Sequence, residues 1–138
     1  MFNTLKKILR ITKKNVVLDY LVLVTGQQCT LMCKDCGNFS PFLRHLFPFY
    51  TYKSLRKDLE ILKQIVSKIK LLQIQGGEFF IHPEALDIIR YVQGQSIVEE
   101  IVIATNGTII PSDKILTQLQ HKTLGGGGGG GFKKKNKK

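Results

Sequence analysis

The chain holds three cysteines, Cys29, Cys33 and Cys36, and all fall in the stretch CTLMCKDC with the spacing C-x3-C-x2-C. Thiolates this close together serve as metal ligands or as redox groups. A structural zinc site takes four protein ligands, commonly from paired C-x2-C units. Only one of the two spacings here is C-x2-C, so a fourth ligand would be His45 or a distant group. A thioredoxin-type pair would use Cys33 and Cys36 and leave Cys29 without a role. Iron–sulfur chemistry accounts for the number three. A cluster held by three thiolates keeps one iron to bind a substrate or cofactor.

The elements around the cysteines alternate between strand and helix patterns. YLVLVT (20–25) is a continuous valine-rich apolar run and predicts a strand buried on both faces, with the cysteine loop following it. FLRHLFPFYTY (42–52) has no clean period, and Pro48 breaks any helix there. Between Ser54 and Lys70, Leu55, Leu59, Leu62, Ile65, Val66 and Ile69 recur at three- and four-residue steps and predict one long helix. LLQIQ (71–75) reads as a second strand ending at Gly76 and Gly77, and a helix with the stripe Leu86, Ile89 and Val92 follows Pro83. EIVIAT (100–105) reads as a third strand ending at Asn106 and Gly107. Ser112 is the expected N-cap of a third helix carrying Ile115, Leu116 and Leu119.

Three β-then-α units in series predict an α/β fold with a parallel sheet and right-handed crossovers. Parallel sheets carry their sites at the carboxyl ends of the strands. The cysteine loop, the Gly-Gly-Glu turn and the Thr-Asn-Gly turn all follow strand ends, so all three are expected on one rim. His45 and His82 read as loop or capping residues and His121 has no evident role.

The formal charge of +11 suggests nucleic acid until the charges are placed. Five of the basic residues crowd positions 1–14 and five crowd positions 133–138, which leaves the body nearly neutral. A surface that tracks phosphates would carry its excess on the body, so no nucleic-acid partner is expected. Residues 1–15 form a basic segment in which Leu5, Ile8 and Leu9 share a helical face. It suits a helix docked on the domain edge, or a weak contact with a membrane surface. No apolar run approaches the roughly 20 residues of a membrane span. The odd cysteine count, with no signal-type leader, predicts a reducing, cytoplasmic setting. Residues 125–138, seven glycines and then FKKKNKK, offer nothing to bury and predict a disordered tail. Homopolymer runs of this kind also suggest a slip in a repetitive gene tract that attaches a foreign tail to a truncated domain.

The three cysteines after a first strand resemble the signature of the radical S-adenosylmethionine enzymes. In that family such cysteines ligate a 4Fe-4S cluster, and S-adenosyl-L-methionine chelates the fourth iron through its amino and carboxylate groups. The resemblance implies Cys29, Cys33 and Cys36 as cluster ligands. QIQGGEFFIHPE (73–84) is similar to the family's second-strand segment, which implies that Gly76, Gly77 and Glu78 contact the methionyl amino group. Glycines let a backbone approach a ligand, and a carboxylate pairs with an ammonium. A solvated turn carboxylate is the plainer alternative for Glu78. IVIATNGTIIP (101–111) resembles the third-strand segment, which puts Asn106 and Gly107 near the cofactor or in a purely structural turn.

Two positions depart from the family pattern. Asp35 stands where an aromatic often stacks on adenine, leaving that contact to the backbone or to Phe39, and Phe79 replaces the usual proline. The resemblance spans about residues 18–122, three of the six units of a partial (β/α)6 TIM-like barrel, so residues 16–124 read as a truncated core. It implies an enzyme, or part of one, that cleaves S-adenosylmethionine reductively to a 5′-deoxyadenosyl radical for hydrogen abstraction. An electron donor such as flavodoxin or ferredoxin is implied, with a substrate the sequence does not name. The alternative is an inactive remnant or a non-catalytic metal- or cluster-binding module.

Overall fold

The computed structural model describes residues 16–119 and 124–125; the basic N-terminal segment, His121 and the tail from residue 126 lie outside the described residues. The order is β1 (Val16–Val24), α1 (Ser40–Leu43), α2 (Tyr52–Leu62), β2 (Val66–Gln75), a single 3-10 turn (Phe79–Ile81), α3 (Ala85–Gln93), β3 (Val98–Ile103), α4 (Asp113–Leu119) and the two-residue β4 (Leu124–Gly125). The strands form one sheet in the order β1-β2-β3-β4, and every neighbouring pair is parallel. The expected α/β class and parallel sheet are therefore observed. The first glycine of the homopolymer, Gly125, pairs with Val102 inside β4. Among the described residues no helix is long and apolar enough to cross a membrane.

One core holds the layers together. Leu72 and Ile74 of β2 and Ile101 and Ile103 of β3 meet Leu55 and Leu59 of α2, Ile88, Ile89 and Val92 of α3, and Ile115 of α4. Each of α2, α3 and α4 contributes one apolar stripe and leaves its polar face to solvent. Thr51 caps α2 by accepting from the Ser54 N–H at 3.2 Å. The carbonyl of Ser112 accepts from the Leu116 N–H at 2.9 Å, so α4 starts where expected.

Two expectations are corrected. The predicted helix over Ser54–Lys70 ends at Leu62, and Val66 and Ile69 belong to β2. The register explains the mimicry: Val16 pairs with Val66 but Val17 pairs with Lys68, so a bulge at Ser67 inserts one residue into the strand. A bulge shifts the side-chain alternation by one position, which puts two buried residues three apart, as on a helix face. β1 is also not buried on both faces. It is the edge of the sheet, with Leu21 and Leu23 packed on the core while Tyr20, Val22 and Val24 are 49%, 36% and 45% exposed.

Candidate functional site

Three loops meet at the carboxyl ends of β1, β2 and β3, as the strand pattern predicts. The first, residues 25–39, contains no helix or strand and carries the cysteines. Backbone bonds tie it to the turn after β2. Thr25 N–H donates to the Gln75 carbonyl at 2.8 Å, Gly77 N–H to the Gly26 carbonyl at 3.1 Å, and Glu78 N–H to the Gln28 carbonyl at 2.8 Å. The pairing of β1 with β2 thus continues beyond the strands.

This approach is what requires Gly76 and Gly77. A Cβ on Gly77 would sit 2.3 Å from the Gln28 carbonyl oxygen and 2.7 Å from the Cys29 Cβ, and one on Gly76 would sit 2.5 Å from the Gly26 carbonyl oxygen. The two glycines let the cysteine loop lie directly on the turn, backbone against backbone. Asn38 adds a clasp from its Nδ2 to the Gly76 carbonyl at 2.9 Å.

Glu78 is 1% exposed, which overturns its reading as a solvated turn carboxylate. Its Oε1 accepts from the Phe80 N–H at 2.9 Å, its Oε2 accepts from the Asn106 N–H at 2.8 Å, and the Thr105 hydroxyl lies 2.9 Å from both oxygens. A carboxylate has about four acceptor sites, and three donors occupy it here. The side chain therefore binds the end of β2 to the end of β3. Phe79, where a proline was expected, is 1% exposed and part of the core.

Asn106 is exposed at the rim. Its Nδ2 donates to Cys29 Sγ at 3.5 Å and to Thr30 Oγ1 at 3.2 Å, and its Oδ1 accepts from Thr108 N at 2.9 Å and Thr108 Oγ1 at 2.7 Å. Cys29 Sγ also accepts from the Leu31 N–H at 3.4 Å. The backbone N–H of Ser40 pulls the Cys36 thiol below the ordinary cysteine value, partial burial opposes it, and the N–H groups of Asn38 and Phe39 add to the lowering. Phe39 is 61% exposed with φ at 54°, in the left-handed region, just before α1.

Cys33 is exposed, whereas Cys29 and Cys36 are half-buried. Among the described residues no three His, Cys, Asp or Glu side chains converge to hold a metal ion. The three thiols suit a cluster by donor chemistry and by sharing one irregular loop, which binding would have to draw together. His45 is exposed and Asp35 is exposed. His82 is a capping residue as expected: its Nδ1 accepts from the Glu84 N–H at 3.0 Å, which leaves Nε2 to donate to the Tyr50 carbonyl at 3.1 Å.

The structure therefore brings Cys29, Gly76, Gly77, Glu78 and Asn106 into one bonded assembly and leaves Cys33 and Cys36 on the same loop. Sequence reading put Thr105 in the rim turn without a role and missed Thr30 and Thr108. For Thr105 and Thr108 the available signal was the polar run TNGT directly after an apolar strand, where side chains must satisfy the strand's last backbone groups. No known protein-family model and no curated protein matches the chain.

Proposed function

We propose that the chain is part of a radical S-adenosylmethionine enzyme, the first portion of a partial β/α barrel whose rim binds an iron–sulfur cluster and S-adenosylmethionine. One observation carries this reading: the cysteine loop, the Gly-Gly-Glu turn and the Asn-Gly turn lie at the carboxyl ends of adjacent parallel strands and are hydrogen-bonded to one another. Cys29, Cys33 and Cys36 would hold the cluster. When bound, the cluster would supply the electron for reductive cleavage of S-adenosylmethionine, the chemistry that enables hydrogen abstraction from a substrate.

The protein's own part is positioning. Gly76 and Gly77 bring the turn onto the cysteine loop, and the buried Glu78 locks β2 to β3 beneath the rim. Phe39 is a broad apolar surface beside the third cysteine, where an adenine ring can lie. A cytoplasmic location and a flavodoxin- or ferredoxin-like donor belong to the same reading.

Anaerobic loading with iron and sulfide, then reduction with S-adenosylmethionine present, tests it. Formation of 5′-deoxyadenosine by the wild-type chain and not by Cys33→Ala supports the proposal. Tight binding of one zinc with no iron uptake sinks it in favour of a structural metal module.

A further inference from the structure

We propose that Asn106 is a positioning residue for Cys29, holding its sulfur at the rim through an N–H···S hydrogen bond from the side-chain amide. The orientation of that amide follows from its partners. Thr108 N–H can only donate, so the Asn106 atom 2.9 Å from it must be the oxygen. The Thr108 hydroxyl at 2.7 Å meets the same oxygen. The amide is planar, so Nδ2 points the other way, toward Cys29 Sγ at 3.5 Å and Thr30 Oγ1 at 3.2 Å.

The bond closes a ring through three loops. Gln28, next to Cys29, takes the Glu78 N–H at 2.8 Å; the Glu78 carboxylate takes the Asn106 N–H at 2.8 Å; Asn106 Nδ2 returns to Cys29. Its anchor is the buried Glu78, so the exposed amide is held from below by a group that solvent does not reach. Asn106 thus acts on the protein's own sulfur, a role distinct from contacting the cofactor. An N–H aimed at a sulfur favours the more negative state of whatever that sulfur ligates, so at an iron–sulfur centre it raises the reduction potential. This consequence for the potential rests on the function proposed above; the hydrogen bond does not.

The test has two independent readouts. In the metal-free, 15N-labelled full chain, the Asn106 side-chain amide resonances should move in Cys29→Ala, move less in Cys29→Ser, which keeps an acceptor, and stay in place in Cys33→Ala. In the iron-loaded chain, the midpoint potential should fall in Asn106→Ala and in the isosteric Asn106→Asp, which keeps the backbone N–H to Glu78 but loses the donor. Unchanged amide resonances in both Cys29 variants overturn the hydrogen bond, whatever the metal content. An unchanged midpoint in both Asn106 variants overturns the tuning role. A chain that takes up no cluster with all three cysteines intact refutes the function proposed above, while the amide resonances still decide the bond.

Discussion

Replacing Glu78 by glutamine separates a carboxylate that braces the fold from one that serves only a ligand. The substitution keeps the shape and one acceptor oxygen but turns the other oxygen into a donor. In the wild type the two oxygens face backbone N–H groups on either side, Phe80 at 2.9 Å and Asn106 at 2.8 Å, with the Thr105 hydroxyl between them. Whichever way the amide turns, one part-buried N–H loses its acceptor and meets another donor, at a cost of about 1–3 kcal/mol. The surviving bonds fall from charge-assisted to neutral strength, about 1 kcal/mol each, and the cheaper burial of an uncharged amide offsets part of this. The net loss is about 2–4 kcal/mol, or roughly 10–20 °C in Tm for a domain of this size. Chemical denaturation of Glu78→Gln at pH 7, followed by far-UV circular dichroism, measures it. A loss below about 0.5 kcal/mol, the level of an ordinary surface change, would refute the brace and leave Glu78 to its ligand alone.

Gly77→Ala should destabilise the chain by about 1–3 kcal/mol, because the new Cβ meets the Gln28 carbonyl at 2.3 Å and backbone must move; Gly37→Ala, with nothing within 4 Å, is the matched control expected within about 0.5 kcal/mol. Burial holds the pKa of His82 below its ordinary value of 6.5, so the folded state binds fewer protons than the unfolded chain. Stability should be full above about pH 6.5 and fall as pH drops through the window beneath it; denaturation midpoints at pH 7 and 5.5 should converge in His82→Phe. The lowered Cys36 thiol should react with iodoacetamide at lower pH than a free cysteine, as peptide-resolved mass spectrometry would show, and the Ser40→Pro variant, which removes the largest donor but leaves the Asn38 and Phe39 N–H groups, should shrink the difference.

The order of the elements and the shared rim were legible because strand ends carry turn residues: Gly76 and Gly77 after β2, Asn106 and Gly107 after β3. What those residues touch was not legible. The glycines were expected to admit a ligand, and they admit the backbone of Gly26 and Gln28, a contact between segments about fifty residues apart that no local pattern encodes. The burial of Glu78 likewise rests on partners far along the chain, Thr105 and Asn106. The bulge at Ser67 escaped because its effect on the apolar spacing is that of a helix turn, and no glycine or proline marks the end of α2. The exposure of β1 escaped for a different reason: its valines suit a sheet interior, and its place at the edge is a property of strand order.

The most direct measurement is the electron paramagnetic resonance spectrum of the reduced, iron-loaded chain with and without S-adenosylmethionine. The account predicts the signal of a reduced 4Fe-4S cluster whose shape changes when S-adenosylmethionine is added, since three thiolates leave one iron for it, and whose appearance requires Cys29, Cys33 and Cys36. A cluster signal indifferent to S-adenosylmethionine, or no cluster signal from a folded chain, would contradict it.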